Sequence, residues 1–146
     1  MANGISLNEC QARVRVMLAE DHPILRMALA RVLGEHTDIE VVAEAANGEE
    51  AIDVALRIRP DIILMDVAMP RINGTEATRR ILETLPTTRV IGLSMHSDPV
   101  MAAAMHEAGA IGYVCKDAPP DDLIAAVLAY AGEAPGASQG QNRLPK

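Results

Sequence analysis

Hydrophobic positions along this chain alternate between two spacings. Short continuous apolar runs, typical of strands buried on both faces, are followed by stretches spaced at three and four residues, typical of helices with one buried stripe. Val14 to Ala19 is the first run. Leu25, Ala28, Leu29, Val32 and Leu33 then recur at helical spacing, with Pro23 in the first turn and Gly34 as the stop. Proline suits that turn because its missing N–H would be unpaired there anyway. Ile39 to Ala45 alternates, with Ile39, Val41 and Ala43 set against Glu40 and Glu44, which predicts an edge strand with one wetted side. Asn47 and Glu50 form a capping-box signature ahead of Ala51, Ile52, Ala55 and Leu56, and Pro60 closes that helix.

Ile62 to Met65 is a run of four apolar residues that ends abruptly in Asp66. Pro70 and Asn73-Gly74 mark a loop beyond it. Asn73 caps a third helix with Glu76 in the capping-box position, Ala77, Ile81 and Leu85 inward, and Pro86 at its end. Val90 to Leu93 is another apolar strand, ending in Ser94. Asp98-Pro99 opens a helix with Met101, Ala104, Met105 and Ala108 inward, closed by Gly109. Ile111 to Cys115 is the last strand, ending in Lys116. Pro120 starts a final helix that lacks a side-chain N-cap; Asp121 and Asp122 suit its positive end, and Leu123, Ile124, Val127, Leu128 and Ala131 line one side.

Strictly alternating strands and helices with short connections predict an α/β fold: a doubly wound, five-stranded parallel sheet. The alternating second strand belongs at an edge and the apolar ones inside, which favours the order 2-1-3-4-5. The domain spans residues 14–131. Residues 1–13 are polar and aperiodic, a loose arm, and residues 132–146 are rich in Gly, Pro, Ser, Gln and Asn, a linker or tail.

Composition narrows the function classes. Net charge is −7 and no Lys/Arg cluster stands out, so this segment has no nucleic-acid surface. No window approaches the ~20 apolar residues of a membrane span, and the N-terminus lacks a secretory core. Cys10 and Cys115 have no partner at metal-ligand spacing, which fits free thiols in the cytoplasm. Aromatic residues are two Tyr, with no Phe or Trp, so the core is aliphatic.

The chemistry lies at the strand ends. Glu20 and Asp21 follow the first strand, Asp66 ends the third, Ser94 the fourth and Lys116 follows the fifth. Singly, each has an ordinary explanation as a turn or surface residue. In the predicted order, strands 1, 3, 4 and 5 lie side by side at ~4.8 Å spacing, so all five side chains reach one rim. Carboxylates ~4 Å apart repel by about 4 kcal/mol at an effective dielectric of about 20. A hard divalent cation relieves that, and an all-oxygen site with open water positions suits Mg²⁺. Metal, ammonium and hydroxyl around one carboxylate make a cradle for a phosphoryl group, with the carboxylate as nucleophile. His22 and His96 suit capping or rim roles better than a metal pair.

With these residues in view, the chain resembles a response-regulator receiver domain of two-component signalling. The matching stretches are Leu18-Ala19-Glu20-Asp21-His22-Pro23, Leu64 to Pro70, Asn73-Gly74, Leu93-Ser94-Met95-His96 and Gly109 to Asp117. The wording is nearest to receivers of helix-turn-helix regulators and to the terminal receivers of hybrid sensor kinases. The resemblance implies that Asp66 is the phosphoacceptor for a kinase phosphohistidine or a phosphotransfer protein. It implies Mg²⁺ binding by Asp21, Asp66 and the backbone carbonyl of Ala68, with Glu20 acting directly or through water. Lys116 would pair with phosphoryl oxygens and Ser94 would swing to meet them. Tyr113 would change rotamer with Ser94, and helix 4, strand 5 and helix 5 would be read by an output domain, a downstream protein or a second copy in a homodimer. Ala68 and His96 fall where the family varies and tunes phosphoryl lifetime. Helix 4, rich in Ala and Met, is expected to be mobile. Two other readings compete. A phosphatase of the haloacid-dehalogenase type needs a second carboxylate where Ala68 stands, and a silent receiver-like interaction module would not need the full acceptor set.

Overall fold

A computed structural model of the chain describes residues 13–95 and 98–132. The expected arm, apart from Arg13, the tail beyond Gly132, Cys10 and His96 lie outside these residues. In chain order the elements are β1 (Val14–Ala19), α1 (Pro23–Gly34), β2 (Ile39–Ala45), α2 (Gly48–Ile58), β3 (Ile62–Asp66), α3 (Gly74–Thr84), β4 (Arg89–Ser94), α4 (Pro99–Ala108), β5 (Gly112–Cys115) and α5 (Pro120–Ala131). The strands are all parallel, in the order β2-β1-β3-β4-β5. The expected architecture is the observed one.

Two apolar layers sandwich the sheet. Val16, Leu18, Ile62, Leu64, Ile91 and Leu93 pack with Leu33 of α1 and Leu123 and Val127 of α5. Met17, Ala19, Ile63, Met65 and Val90 pack on the opposite face with Ala51, Val54 and Ala55 of α2, Ala77 and Ile81 of α3 and Met105 of α4. Each strand thus divides its side chains between layers with the two-residue period of a pleated strand. Every residue of β3 is buried, as expected for the central strand. Continued past the strand ends, the same alternation sets Glu20, Asp66 and Lys116 in one row and Ser94 in the other.

The edge strand departs from the simple alternation. The register with β1 shifts between Val16 and Met17: Val16 pairs with Val41 and Met17 with Ala43, leaving Val42 as an extra residue. Such a bulge reverses which face later residues meet. Ile39 and Val41 accordingly join the α1/α5 layer, while Ala43 and Ala45 join the α2–α4 layer. The expected grouping of Ile39, Val41 and Ala43 on one side is corrected by this bulge.

The caps carry most expectations and refine others. Asn47 Oδ1 accepts the Glu50 N–H at 2.8 Å, but the Glu50 carboxylate takes the Ala46 N–H instead of closing the box on Asn47. Asn73 Oδ1 accepts the Glu76 N–H at 2.9 Å, while Glu76 itself turns outward to Arg79 and Arg80. Asp98 accepts the Val100 N–H at 3.0 Å, and Gly109 ends α4 with φ +116°. α5 has no side-chain cap, as its Pro119-Pro120 start predicts. Gly34 is the last residue of α1, whose cap Glu35 is right-handed, so no left-handed glycine is used there. No described helix is long and apolar enough to cross a membrane.

Candidate functional site

β3 delivers Asp66 to the rim and the loop after it locks the carboxylate in place. The Val67 N–H donates to the Leu93 carbonyl at 3.1 Å, continuing the ladder with β4. The Ala68 N–H then turns back to Asp66 Oδ1 at 3.1 Å, a local aspartate turn. The chain doubles over the same residue: the Gly74 N–H donates to the Val67 carbonyl at 3.1 Å. A Cβ on Gly74 would lie 2.1 Å from the Asp66 carbonyl oxygen, so only glycine fits this approach.

The β1–α1 turn brings the other two acids. The Glu20 N–H donates to the Ala45 carbonyl at 3.0 Å. Arg26 reaches back from α1 to donate to the Glu20 carbonyl at 2.8 Å and to Glu44 Oε1 on the edge strand at 3.2 Å. Arg26 escaped the sequence reading because it lies on the helix, with no motif linking it to Glu20; only the turn brings them together. The Glu20 side chain is fully buried, and its Oε2 accepts from the His22 backbone N–H at 3.2 Å and lies 2.8 Å from His22 Nδ1. That ring also stands 3.3 Å from Asp21 Oδ1. His22 makes no side-chain cap, so its expected capping role is not seen; its ring sits at the rim. Its bond to Glu20 and the nearby Asp21 charge raise the imidazole above its ordinary range.

Lys116 closes the group. Its backbone N–H donates to the Ser94 carbonyl at 2.6 Å. Its Nζ lies 2.8 Å from Glu20 Oε1 and 3.1 Å from Asp66 Oδ2, with the side chain only 4% exposed. Burial works against the ammonium, but the two carboxylates outweigh it and raise its pKa. Burial pushes the Asp66 carboxyl up to about 6, aided by the Glu20 charge and opposed by the Ala68 N–H and Lys116. One lysine facing two acids, with Asp21 beside them, leaves negative charge in excess. Among the described residues, the buried oxygens Glu20 Oε1, Asp66 Oδ2 and Asp21 Oδ1 receive no well-directed hydrogen bond beyond these ion-pair contacts. Ligand atoms of Glu20, Asp21, His22 and Asp66 all lie within 4.8 Å of one another. Hard carboxylate oxygens in such a cluster, more than one lysine can neutralise, fit a small divalent cation.

Ser94 and Tyr113 occupy the other side of the rim. Ser94 is buried, one residue past Leu93, which pairs in register with Asp66. Tyr113 pairs with Gly92, and its ring lies over that glycine beside Met105, where a Cβ on Gly92 would be 2.9 Å from Tyr113 Cδ1. The ring is thus turned inward, with its hydroxyl buried and unpartnered among the described residues. Glu20, Asp21, Asp66 and Lys116 meet at this rim, and Ser94 stands beside them at the end of β4. The Ala68 N–H faces Asp66.

A family profile described as the response regulator receiver domain matches residues 16–128. The chain belongs to the response-regulator receiver family. It is 36% identical over 119 residues to the transcriptional regulatory protein DegU of Brevibacillus brevis, covering 82% of this chain and 50% of that protein. It is 41% identical over 123 residues to the transcriptional regulatory protein YxjL of Bacillus subtilis (strain 168), covering 84% and 56%. The receiver thus spans about half the length of these curated relatives. Among solved structures, the signal receiver domain of the response regulator NarL from Mycobacterium tuberculosis superposes with a TM-score of 0.77 at 30% identity, covering 83% of this chain and 98% of that one. A two-component response regulator of the LuxR family from Aurantimonas sp. SI85-9A1 gives 0.79 at 36% identity, covering 87% and 94%. Receivers of this family are signalling domains and not classical enzymes.

Proposed function

We propose that this receiver accepts a phosphoryl group on Asp66 from the phosphohistidine of a sensor histidine kinase or phosphotransfer protein, in the cytoplasm. The observation that carries this reading is the buried Asp66 carboxylate, 3.1 Å from Lys116 Nζ and clustered with Glu20 and Asp21 at the sheet rim. An Asp66 oxygen attacks phosphorus, the bond from phosphorus to the donor's imidazole nitrogen breaks, and that nitrogen keeps the electron pair. Lys116 holds the new phosphoryl oxygens, which replace part of its pairing with the acids. Asp21, Asp66 and the Ala68 carbonyl, with Glu20 direct or through water, would hold Mg²⁺, whose charge would neutralise phosphoryl oxygens. Catalysis by the chain is confined to its own phosphorylation and dephosphorylation.

The signal then passes to the face of α4, β5 and α5. Phosphorylation adds ~1.5–2 negative charges and three acceptor oxygens. The Ser94 hydroxyl turns to the phosphoryl group, and the Tyr113 ring, already inward over Gly92, changes rotamer with it. A near-complete shift between two states takes about 5.5 kcal/mol of differential contacts. The output is a further domain or a separate protein.

The test is intact-mass measurement after incubation with acetyl phosphate and Mg²⁺. A single phosphoryl adduct forms on the parent and is absent from Asp66→Ala. An adduct persisting in the variant places the acceptor elsewhere. No adduct on the parent, together with no beryllofluoride binding, makes the chain a phosphorylation-independent interaction module.

A further inference from the structure

The rim holds one potential ligand that hard-metal chemistry does not require. His22 follows the two acids of the β1–α1 turn, makes no side-chain cap to α1, and leans its ring over the acidic cluster. Nδ1 lies 2.8 Å from Glu20 Oε2 and 3.3 Å from Asp21 Oδ1. Adjacent ligands held ~2.1 Å from one six-coordinate cation are ~3.0 Å apart. The two contacts bracket that separation. A cation placed among these atoms would replace the hydrogen bond between Nδ1 and Glu20.

We infer that His22 is a nitrogen ligand for a borderline divalent cation at this site, giving the receiver a zinc-competent mode besides its magnesium one. The inference rests on the acidic rim being the receiver's metal site. Imidazole adds little for hard Mg²⁺, which takes oxygen ligands, but much for Zn²⁺. The neutral ring would bind through the Nδ1 lone pair, with its proton on Nε2. The side chain is 65% exposed, so the ring can rotate into the coordination sphere without disturbing packing. A cation held by His22 as well as the carboxylates has fewer open positions for a phosphoryl oxygen. Zn²⁺ therefore competes with Mg²⁺ and slows labelling of Asp66 by acetyl phosphate.

The test titrates the full chain with Zn²⁺ and, separately, Mg²⁺ by calorimetry, in the parent, His22→Asn, His22→Gln and Asp21→Asn. Both His22 variants lower the ratio of Zn²⁺ to Mg²⁺ affinity by about tenfold or more, and Asp21→Asn weakens both metals. Co²⁺, as a spectroscopic substitute, gives a visible absorption band and shifts the His22 imidazole signals in a ¹⁵N-labelled sample. Unchanged Zn²⁺ affinity in both His22 variants overturns the inference. So does a parallel fall for both metals, which would mean that His22 only orients Glu20, and so does Co²⁺ shifting His36 or His106 alone. The receiver reading is judged separately, by acetyl-phosphate labelling of the parent with Mg²⁺. Normal labelling beside a failed zinc test rejects His22 alone.

Discussion

The rim has two halves built on different physics. The acidic half, from β1 and β3, is held by charge and by backbone. Glu20 and Asp66 face one buried lysine, Arg26 clamps the Glu20 carbonyl, and the loop after Asp66 folds back so closely that Gly74 touches the Asp66 backbone. The other half, from β4 and β5, is held by side-chain packing: the Tyr113 ring on Gly92, the thioether of Met105 from α4, and a Tyr113 hydroxyl without a partner among the described residues. Methionine conforms to alternative packings. The half that receives the phosphoryl group is preorganised, and the half that reports it is deformable.

Removing the shared cation is the strongest way to break this contrast. Lys116→Met leaves two buried carboxylates without their counter-ion and destabilises the metal-free protein by about 3–5 kcal/mol. Urea denaturation measures this, and added Mg²⁺ recovers part of the loss. Recovery failing altogether would argue that the acids do not share a cation site.

The two glycines compare the halves directly. Gly74→Ala drives a methyl group into backbone, which has nowhere to go, and costs about 3 kcal/mol. Gly92→Ala meets the edge of the Tyr113 ring and the tip of Met105, both side chains that can turn away. It costs about 1 kcal/mol and displaces the Tyr113 ring signals in NMR. Equal losses at the two sites would erase the distinction drawn here.

The charge strain in the acidic half is visible through pH. Folding raises the Asp66 carboxyl from its ordinary 3.8 to about 6, so the folded state binds this proton more tightly than the unfolded chain. Ionised Asp66 therefore lowers stability above pH 6, and this loss fades as pH falls towards 4. Asp66→Asn removes it and stabilises the metal-free protein at pH 8 by about 1–2 kcal/mol, less than the full ~3 kcal/mol of such a shift because Lys116 loses a partner. Melting curves at pH 8 and pH 4 test the sign: the variant's advantage is present at the first and absent at the second.

The smallest effect belongs to the deformable half. Tyr113→Phe deletes a buried, unpartnered hydroxyl and stabilises the resting protein by up to about 1 kcal/mol. Amide exchange in α4 is expected to be faster than in α2 or α3. Slow exchange throughout α4 would count against a mobile reporting face.

How much was legible in the sequence follows the range of each interaction. Each strand and helix lay in local periodicity and caps, because those signals involve residues three or four apart. The sheet order came from the contrast between the alternating β2 and the apolar β3, and it put Glu20, Asp21, Asp66, Ser94 and Lys116 at one end of the sheet. The bulge at Val42 was hidden, because a side-chain alternation of two looks the same whether or not the partner strand skips a residue. Arg26 and the His22 ring were hidden as partners of the acids, since neither spacing has a fixed meaning until the β1–α1 turn is closed.

The amino-acid order alone determined which residues are apolar, where the chain turns and which chemical groups stand at each strand end. Tertiary structure decided the charge state and posture of those groups. Only packing could bury Asp66 and Glu20 against one lysine, lift the Asp66 carboxyl to about 6 and turn Tyr113 inward over Gly92. The reason is that desolvation and ion pairing depend on distances between side chains far apart in the chain, and those distances exist only after the sheet has assembled.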